Sequence, residues 1–331
     1  MPEQQRNLDV AAVIVTYKSA QLAIESLRSL AMERDAGWPN LRAVVVDNAS
    51  GDLPQIAQAV AANVWSAWVT LVSAPRNGGF SYGNNLGMER AYASARPAYV
   101  YLLNPDAQVR PGAIAALTRF LESHPDAGIA GSSFESQDGS DWPFAFRFPT
   151  VLSEVDNGLE FGLATRLLRR WVVPRTMSKA SEPVDWVCGA SMMIRPEVLS
   201  AIGGLDENYF LYFEETDFCR RARQAGFATW YVPESRVMHI AGQSTMVTNA
   251  PERLPGYWFE SRRRYFVLAF GLRRAMAIDM IAILAHALGS FKRLLQGRSG
   301  RPCFIRDLVR HSVLRADNRA LPALRCFVPP R

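Results

Sequence analysis

The stretch FLYFEETDFCRRARQAG (residues 210–226) sets Glu214, Glu215 and Asp217 within four positions, directly behind Phe210, Tyr212 and Phe213. Acids in the first turn of a helix complement the positive end of its dipole. Asp217 lies one turn before Arg221 and can pair with it. Glu214 and Glu215 look instead toward Phe218 and Cys219, so neither has a local basic partner. Apolar neighbours raise a carboxylate's pKa, and carboxylates so perturbed collect at functional sites. On these residues alone, a solvated helix start is an equally good reading.

A second set of polar residues follows apolar runs: Thr16 and Tyr17, Asp47, the turn RNGGFSYGNN (residues 76–85) with Asn77, Gly79 and Asn84, and then Asn104 and Asp106. Each has an ordinary reading: Asp47 as a cap on a helix near Leu53, NGG as a tight turn. Together they place a group able to bind a base, a ribose or a metal after nearly every run. GGFSYG lacks the GxGxxG spacing and no GxxxxGK[ST] occurs, so the main support for a dinucleotide dehydrogenase or a P-loop ATPase is missing. What remains is a site where a carboxylate and an amide hold a divalent ion, which in turn holds a diphosphate.

The elements that must position these groups alternate over the first third of the chain. DVAAVIVTY (residues 9–17) is an apolar, β-branched run, followed by Ala23, Leu27, Leu30 and Ala31 at helical spacing. LRAVVVDNAS, VTLVSA and YVYLLNPDA supply three further strands. Such alternation predicts an α/β layer with a mainly parallel sheet, and ligands there sit beyond the carboxyl ends of the strands. After Gly131 the alternation breaks, and SSFESQDGSDWPFAFRFPT reads as irregular or hairpin. Order resumes with VDWVCGASMMI (residues 184–194) as one strand, which leads to the acidic helix. The boundary falls near residues 250–255, dividing the chain into 1–250 and 251–331.

The 331 residues are 49% hydrophobic and 21% charged, ordinary for a folded soluble protein. Four widely spaced cysteines without a CxxC pair signal neither a disulfide framework nor a zinc knuckle, and a reducing, cytoplasmic setting fits. MPEQQRNLDV has no signal-peptide character. The net charge of +6 is uneven. Residues 253–331 carry 16 Lys/Arg against 4 Asp/Glu, a net of +12, and residues 1–252 carry 21 against 27, a net of −6. A basic tail on an acidic body suits anionic lipid or nucleic acid. Within the tail, AMAIDMIAILAHALGSFKRLL (residues 275–295) is apolar but sets Asp279, His286 and Arg293 on one helix face. That polar stripe argues against a membrane span. It suits a helix lying in the membrane interface, or equally an amphipathic helix packed on the body.

VAAVIVTY, VVVDNAS, RNGGFSYGNNLG, LLNPDA, WVCGASMMIRPEVLSAIGGLDENYFLYFEETDFCRRARQAGF and VMHIAGQST, in that order, resemble the motifs of a family 2 glycosyltransferase, most similarly its bacterial rhamnosyltransferase-like members. The likeness spans residues 10–244, and SRRRYF (residues 261–266) resembles the segment that follows. It implies a GT-A fold, a Rossmann-like mixed, mainly parallel sheet flanked by helices, with the C-terminal helical basic tail added. It also implies a nucleotide-diphosphate-sugar donor, Mg²⁺ or Mn²⁺, and inversion at the anomeric carbon. Asn104-Pro105-Asp106 stands where the family carries DxD, which leaves Asp106 as the metal carboxylate, and His239 matches a histidine that completes some metal sites. Thr16, Tyr17, Asp47, Asn77, Gly79, Asn84 and Asn104 fall to the donor. Trp186, Gly189 and Tyr212 fall to the acceptor. Glu215 occupies the second acid of the family's ED pair, the catalytic base, with Glu for Asp, and Glu214 would orient it.

The expected protein is a metal-dependent inverting transferase at the inner face of the cell membrane. It would act on a lipid-linked or polysaccharide acceptor, with an anionic membrane surface as partner; self-association is left open. A processive synthase lacks support, since no QxxRW-like motif or set of membrane helices is present. A sugar-nucleotide nucleotidyltransferase would carry a glycine-rich basic N-terminal loop, which VTYKSAQ is not. A degenerate transferase serving as a membrane-bound assembly partner would not need Asp106, Glu215 and His239. Apolar residues interleave with the tail arginines and no nucleic-acid recognition module is seen, so nucleic acid is not an expected partner.

Overall fold

The structure, a computed structural model, describes residues 8–38, 40–136, 138–142, 145–175, 178–239, 253–298, 303–314 and 321–330. Of the expected division near residues 250–255, residues 250–252 lie outside these.

Strands β1 (Val10–Thr16), β2 (Leu41–Asp47), β3 (Val69–Ser73) and β4 (Tyr99–Leu103) form the parallel half of one sheet, in the order β3-β2-β1-β4. Every residue of β4, and all but one of β1 and of β2, is buried, as expected of strands covered on both faces. Helix α1 (Ala20–Asp35) lays Ala23, Leu27 and Leu30 on the sheet, and α2 (Leu53–Ala62) and α3 (Gly79–Ser94) complete the expected alternation.

Beyond β4 the sheet becomes mixed. It continues through β5 (Ala107–Val109), α4 (Ala113–Ser123), β6 (Ala127–Glu135) and the hairpin strand β7 (Asp141–Trp142), the hairpin read after Gly131. β8 (Ala145–Phe146), α5 (Val151–Leu159) and α6 (Gly162–Leu167) follow. Residues 184–194 are not one strand. They divide into β9 (Glu182–Val184), β10 (Trp186–Val187) and β11 (Ser191–Ile194), with partners β12 (Ala228–His239), β8, and β4 with β6 respectively. The break has local causes. The Asp185 carboxylate accepts from the Phe148 N–H at 2.9 Å and from Arg223 at 2.7 Å, and the chain turns again at Cys188–Ala190 before β11 enters the sheet antiparallel.

Helix α7 (Pro196–Ile202) leads to the acidic helix α8 (Glu214–Gln224), and β12 returns parallel to β6 and antiparallel to β5. The tail then folds as α9 (Gly256–Phe270), α10 (Leu272–Leu295) and the short α11 (Phe304–Leu308). It is tied to the body by buried ion pairs. Arg262 binds Glu154 of α5 at 2.6 Å and also Asp279 of α10, and Arg264 binds Asp206 at 2.7 Å. Pairs of this kind are costly to break singly, because the partner is left charged and buried.

α10 is assembled inside out. Its polar stripe faces the protein: Asp279 and Arg293 are buried, and the His286 ring lies 4.0 Å from that of Phe304. Met276, Met280, Leu284, Leu288, Phe291 and Leu295, spaced by three or four, face outward and are exposed. Where α10 crosses α5, Gly289 meets the Gly158 carbonyl so closely that a Cβ there would stand 2.0 Å from the oxygen. By length and composition α10 suffices to cross a bilayer, with 24 residues and a mean hydropathy of 1.4 over its most apolar window. Its inner face is nevertheless sealed to α5 and α9.

Candidate active site

The carboxyl ends of the parallel strands meet in a network that fixes the loops before it binds anything. The Asp47 carboxylate accepts from the Ser50 N–H (2.8 Å) and hydroxyl (2.6 Å), and from the N–H groups of Gly51 and Asp52 (both 3.1 Å). Burial would raise its pKa, but these hydrogen bonds outweigh burial and lower it. Thr16, fully buried, donates to Asp52 at 2.6 Å, and Asn84 donates back to the Phe80 carbonyl at 2.9 Å. These three residues therefore shape the loops. Tyr17 is 38% exposed at the same edge, with the Lys18 ammonium 5.4 Å from its ring centroid. Two residues that sequence reasoning passed over complete the frame. Asp52 ties Thr16 to the Ser19 N–H (2.9 Å), and Asn48 bonds Asn77 and the Gly79 carbonyl, both at 3.0 Å. DNAS and GDL carry the Asx-turn signal that would have found both.

Gly79 joins this edge to the acidic helix. It adopts φ +85°, a Cβ there would stand 1.9 Å from the Phe210 carbonyl, and the adjacent Phe80 N–H donates to that carbonyl at 2.8 Å. Gly79→Ala is therefore expected to displace the 210–213 segment and lower activity at least about tenfold. Thermal unfolding together with a donor titration checks it; wild-type activity and stability in the variant would refute the contact's role.

The 104–106 turn and the end of β12 converge because of strand register. His239 pairs with Ala107 across the β5–β12 ladder, so the residue before Ala107 must lie beside it. His239 Nε2 is 3.3 Å from Asp106 Oδ1, and both side chains are buried. Nearby in the same turn, Asn104 Oδ1 is buried without a hydrogen-bond partner. Among the described residues no group of three His, Cys, Asp or Glu gathers. One carboxylate, one imidazole and one open amide oxygen still fit a divalent ion that completes its shell from a donor's phosphates and water, the way Mg²⁺ is usually held. The rest of VMHIAGQST lies outside the described residues.

Glu214 and Glu215 stand at the mouth of α8, after Tyr212 and Phe213, both held in the left-handed region at φ 71° and 67°. Non-glycine residues there cost of order 1 kcal/mol or more, and such strain collects at functional sites. Asp217 serves structure: it is fully buried and bonded to Arg220 at 2.7 Å and Arg221 at 2.9 Å. The other two acids differ. One oxygen of each, Oε2, is buried with no hydrogen-bond partner. Burial, and then the charge of Glu215, holds the Glu214 carboxyl well above its ordinary pKa. Burial also raises Glu215, opposed by hydrogen bonds from its own N–H and from that of Gly189. The turn that interrupts residues 184–194 thus delivers the Gly189 N–H to the Glu215 carboxylate. Burial, then the charges of Glu215, Glu214 and Asp106, push up the Cys188 thiol, so all three carboxylates act electrostatically on this turn.

Glu215 opens into a cavity of about 810 Å³. Trp186 and Tyr212 line one side, with Trp186 stacked on Phe146 at 4.1 Å and anchored through its N–H to the Arg147 carbonyl at 3.0 Å. α5 contributes Asp156, whose Oδ1 is buried without a partner. The tail supplies the opposite wall: Trp258, His286, Arg293 and Arg306. No sequence signal indicated that the basic tail closes the site.

A mixed sheet whose parallel half ends in polar loops, with an acid pair beside a carboxylate–histidine turn, defines the GT-A class of glycosyltransferase folds. Solved structures agree on the fold. A mannosyltransferase from Pyrobaculum calidifontis in complex with GDP-Man and Mn²⁺ superposes with a TM-score of 0.54 at 16% identity, over 88% of this chain and 76% of that one. GalNAc-T7 with UDP, GalNAc and Mn²⁺ gives 0.55 at 16%, over 93% and 59%. The model of the Glycosyltransferase like family 2 matches residues 7–262, and the chain belongs to that family. Among curated proteins it is similar to the N-acetylglucosaminyl-diphospho-decaprenol L-rhamnosyltransferase of Mycobacterium tuberculosis, 32% identical over 44% of this chain and 48% of that protein. It is also similar to the rhamnosyltransferase WbbL of Escherichia coli K12, 27% identical over 49% and 61%. The matches span about half the length of these relatives.

Proposed function

We propose that the chain transfers a sugar, L-rhamnose, from a nucleotide-diphosphate donor to a lipid-linked acceptor at the inner face of the membrane, with inversion at the anomeric carbon. The observation that carries this is the Glu215 carboxylate: one oxygen buried and unpartnered, raised in pKa, and lining a cavity that Trp186, Tyr212 and Trp258 also line, in a chain whose Asp106 and His239 meet at the sheet edge. The rhamnosyltransferase names of the relatives support the sugar, and the decaprenol of one supports the acceptor class.

In this reading Tyr17 and the Asn77–Gly79 turn bind the nucleoside, and Asp106, His239 and Asn104 hold Mg²⁺ or Mn²⁺. The ion, when bound, neutralises charge on the departing diphosphate. The acceptor enters the cavity against Trp186 and Tyr212, whose faces exclude water. Glu215 takes the proton from the acceptor hydroxyl, the oxygen forms the new glycosidic bond from the face opposite the diphosphate, and the bond to that diphosphate breaks. Burial and the charge of Glu215 both raise the Glu214 carboxyl, so of the two acids Glu215 is the one assigned to accept the proton. Incubating the protein with a panel of nucleotide sugars, metal and a polyprenyl-diphosphate-linked saccharide tests the reading; it fails if no donor yields nucleoside diphosphate and product together.

The membrane contact is assigned to the outer face of α10. Total charge overstates the electrostatic part, since Arg262, Arg263, Arg264 and Arg293 are buried; Arg273, Arg274 and Arg298 remain exposed at the ends of the helix. Burying a leucine side chain is worth about 1.5–3 kcal/mol, and each basic residue near an anionic surface roughly 1 kcal/mol. Leu284→Glu with Leu288→Glu in the full chain is therefore expected to weaken co-sedimentation with anionic vesicles at least about tenfold, whereas high salt alone releases the wild type only in part. Undiminished binding by the double variant would remove α10 from the contact.

A further inference from the structure

The cavity and the apolar surface are the two sides of one helix, because His286, Ser290 and Arg293 of α10 line the cavity while Leu284, Leu288 and Phe291 face outward. Arg293 is the unusual member of that wall. It is only 9% exposed, an extent of burial that guanidinium groups tolerate only with full pairing. Its Nη1 lies 2.8 Å from a carboxylate oxygen of Glu160, and Nη2 donates to Ser290 at 2.9 Å. Its Nε is buried with no hydrogen-bond partner. The Glu160 side chain is 55% exposed, so the ion pair is half solvated and readily exchanged for a better-placed anion. Arg306, exposed on α11, reaches the same cavity.

An arginine with an open N–H, 9% exposed on the polar inner face of α10, is built for an oxyanion that accepts two parallel hydrogen bonds, and phosphate esters match that fork. We propose that Arg293, with Arg306, forms an anionic subsite that grips the phosphate joining the acceptor's sugar to its lipid, while the sugar reaches inward to Glu215. This rests on the transferase reading and names the part of the acceptor that α10 recognises. The lipid chain would leave across the apolar outer face of the same helix, where Phe161 and Lys292 (5.5 Å from ring centroid to Nζ) continue the surface at the α5–α6 junction.

The test is binding rather than turnover. In EDTA, which disables metal-dependent diphosphate binding at the donor site, binding of farnesyl phosphate, farnesol and inorganic phosphate is titrated through the change in intrinsic tryptophan fluorescence, to which Trp186 and Trp258 of the cavity contribute among the chain's 8 tryptophans. The full chain should bind farnesyl phosphate at least about tenfold more tightly than either of the others, since a charged hydrogen bond to phosphate is worth that much. Arg293→Gln should reduce the preference over farnesol to less than about twofold. Glu160→Gln breaks the same ion pair but keeps the cation, so it should preserve or increase the preference. Equal affinity of the wild type for farnesyl phosphate and farnesol overturns the subsite, as does equal loss in both variants, which would mark the ion pair as structural. Inorganic phosphate binding as tightly as farnesyl phosphate reduces it to a general anion site. A wild type that releases nucleoside diphosphate from a sugar donor yet fails these titrations refutes the subsite alone and leaves the transferase reading standing.

Discussion

Glu215→Gln is expected to lower the rate of sugar transfer by about 10²–10⁴-fold, the usual contribution of a positioned base, while donor affinity stays within a few-fold. The amide keeps the shape of the side chain and cannot accept the acceptor's proton. Two further readouts separate this from a structural effect. Because burial raises the Glu215 carboxyl, the wild-type rate should fall as pH drops through a value above the ordinary carboxylate range, and that limb should vanish in the variant. Thermal stability should not fall, since Oε2 has no hydrogen bond to lose. Asp217→Asn should behave in the opposite way, losing stability through its two arginines. If Glu215→Gln kept more than half the wild-type rate and Asp217→Asn abolished it, the roles assigned along α8 would be wrong.

Asp106→Ala is expected to weaken metal-dependent binding of the donor's nucleoside diphosphate at least about 100-fold. Loss of groups that merely orient a metal's ligands already costs 10–100-fold, and removal of the one carboxylate in the turn should cost no less. Calorimetry with and without Mn²⁺ measures it, using the nucleoside diphosphate that the donor panel identifies. Affinity in EDTA should barely change, because the base and ribose contacts lie on other loops. A variant whose Mn²⁺-dependent affinity equals the wild type's would show that the ion, if used, is held elsewhere.

The parallel half of the sheet was legible because each strand there is a buried apolar run ending in a polar loop, and local pattern suffices to read such an element. The acid pair was legible for the opposite reason: two carboxylates without local partners stand out from helix chemistry that explains Asp217. Residues 184–194 misled because three short strands with different partners write one continuous apolar string; only the Asp185 and Gly189 turns, fixed by contacts distant in sequence, divide them. Thr16 and Asp47 at strand ends and Asn84 in the turn after the third strand were read as donor groups; their side chains also hydrogen-bond within the loops, contacts that depend on Asp52, Ser50 and Phe80 rather than on the residues' own positions. The convergence of Asp106 and His239 depends on strand register across more than 130 residues, which no local spacing encodes; the family resemblance supplied it. The stripe on α10 was identified, but which side faces inward depends on Arg262 and Glu154, which lie outside the helix.

An α-helix advances about 100° per residue. A single inserted or deleted residue within α10 would therefore turn every later side chain by that angle, carrying leucines toward Glu215's chamber and arginine toward the outside. Outer positions can drift among apolar residues, and inner ones can be retuned for a different acceptor, without disturbing each other. The number of residues between Asp279 and Arg293 cannot drift at all, because the Gly289–Gly158 crossing leaves no slack for a compensating slide. Across relatives that share this arrangement, α10 should keep Gly289 and Asp279, vary at its other positions within each face, and admit no gaps.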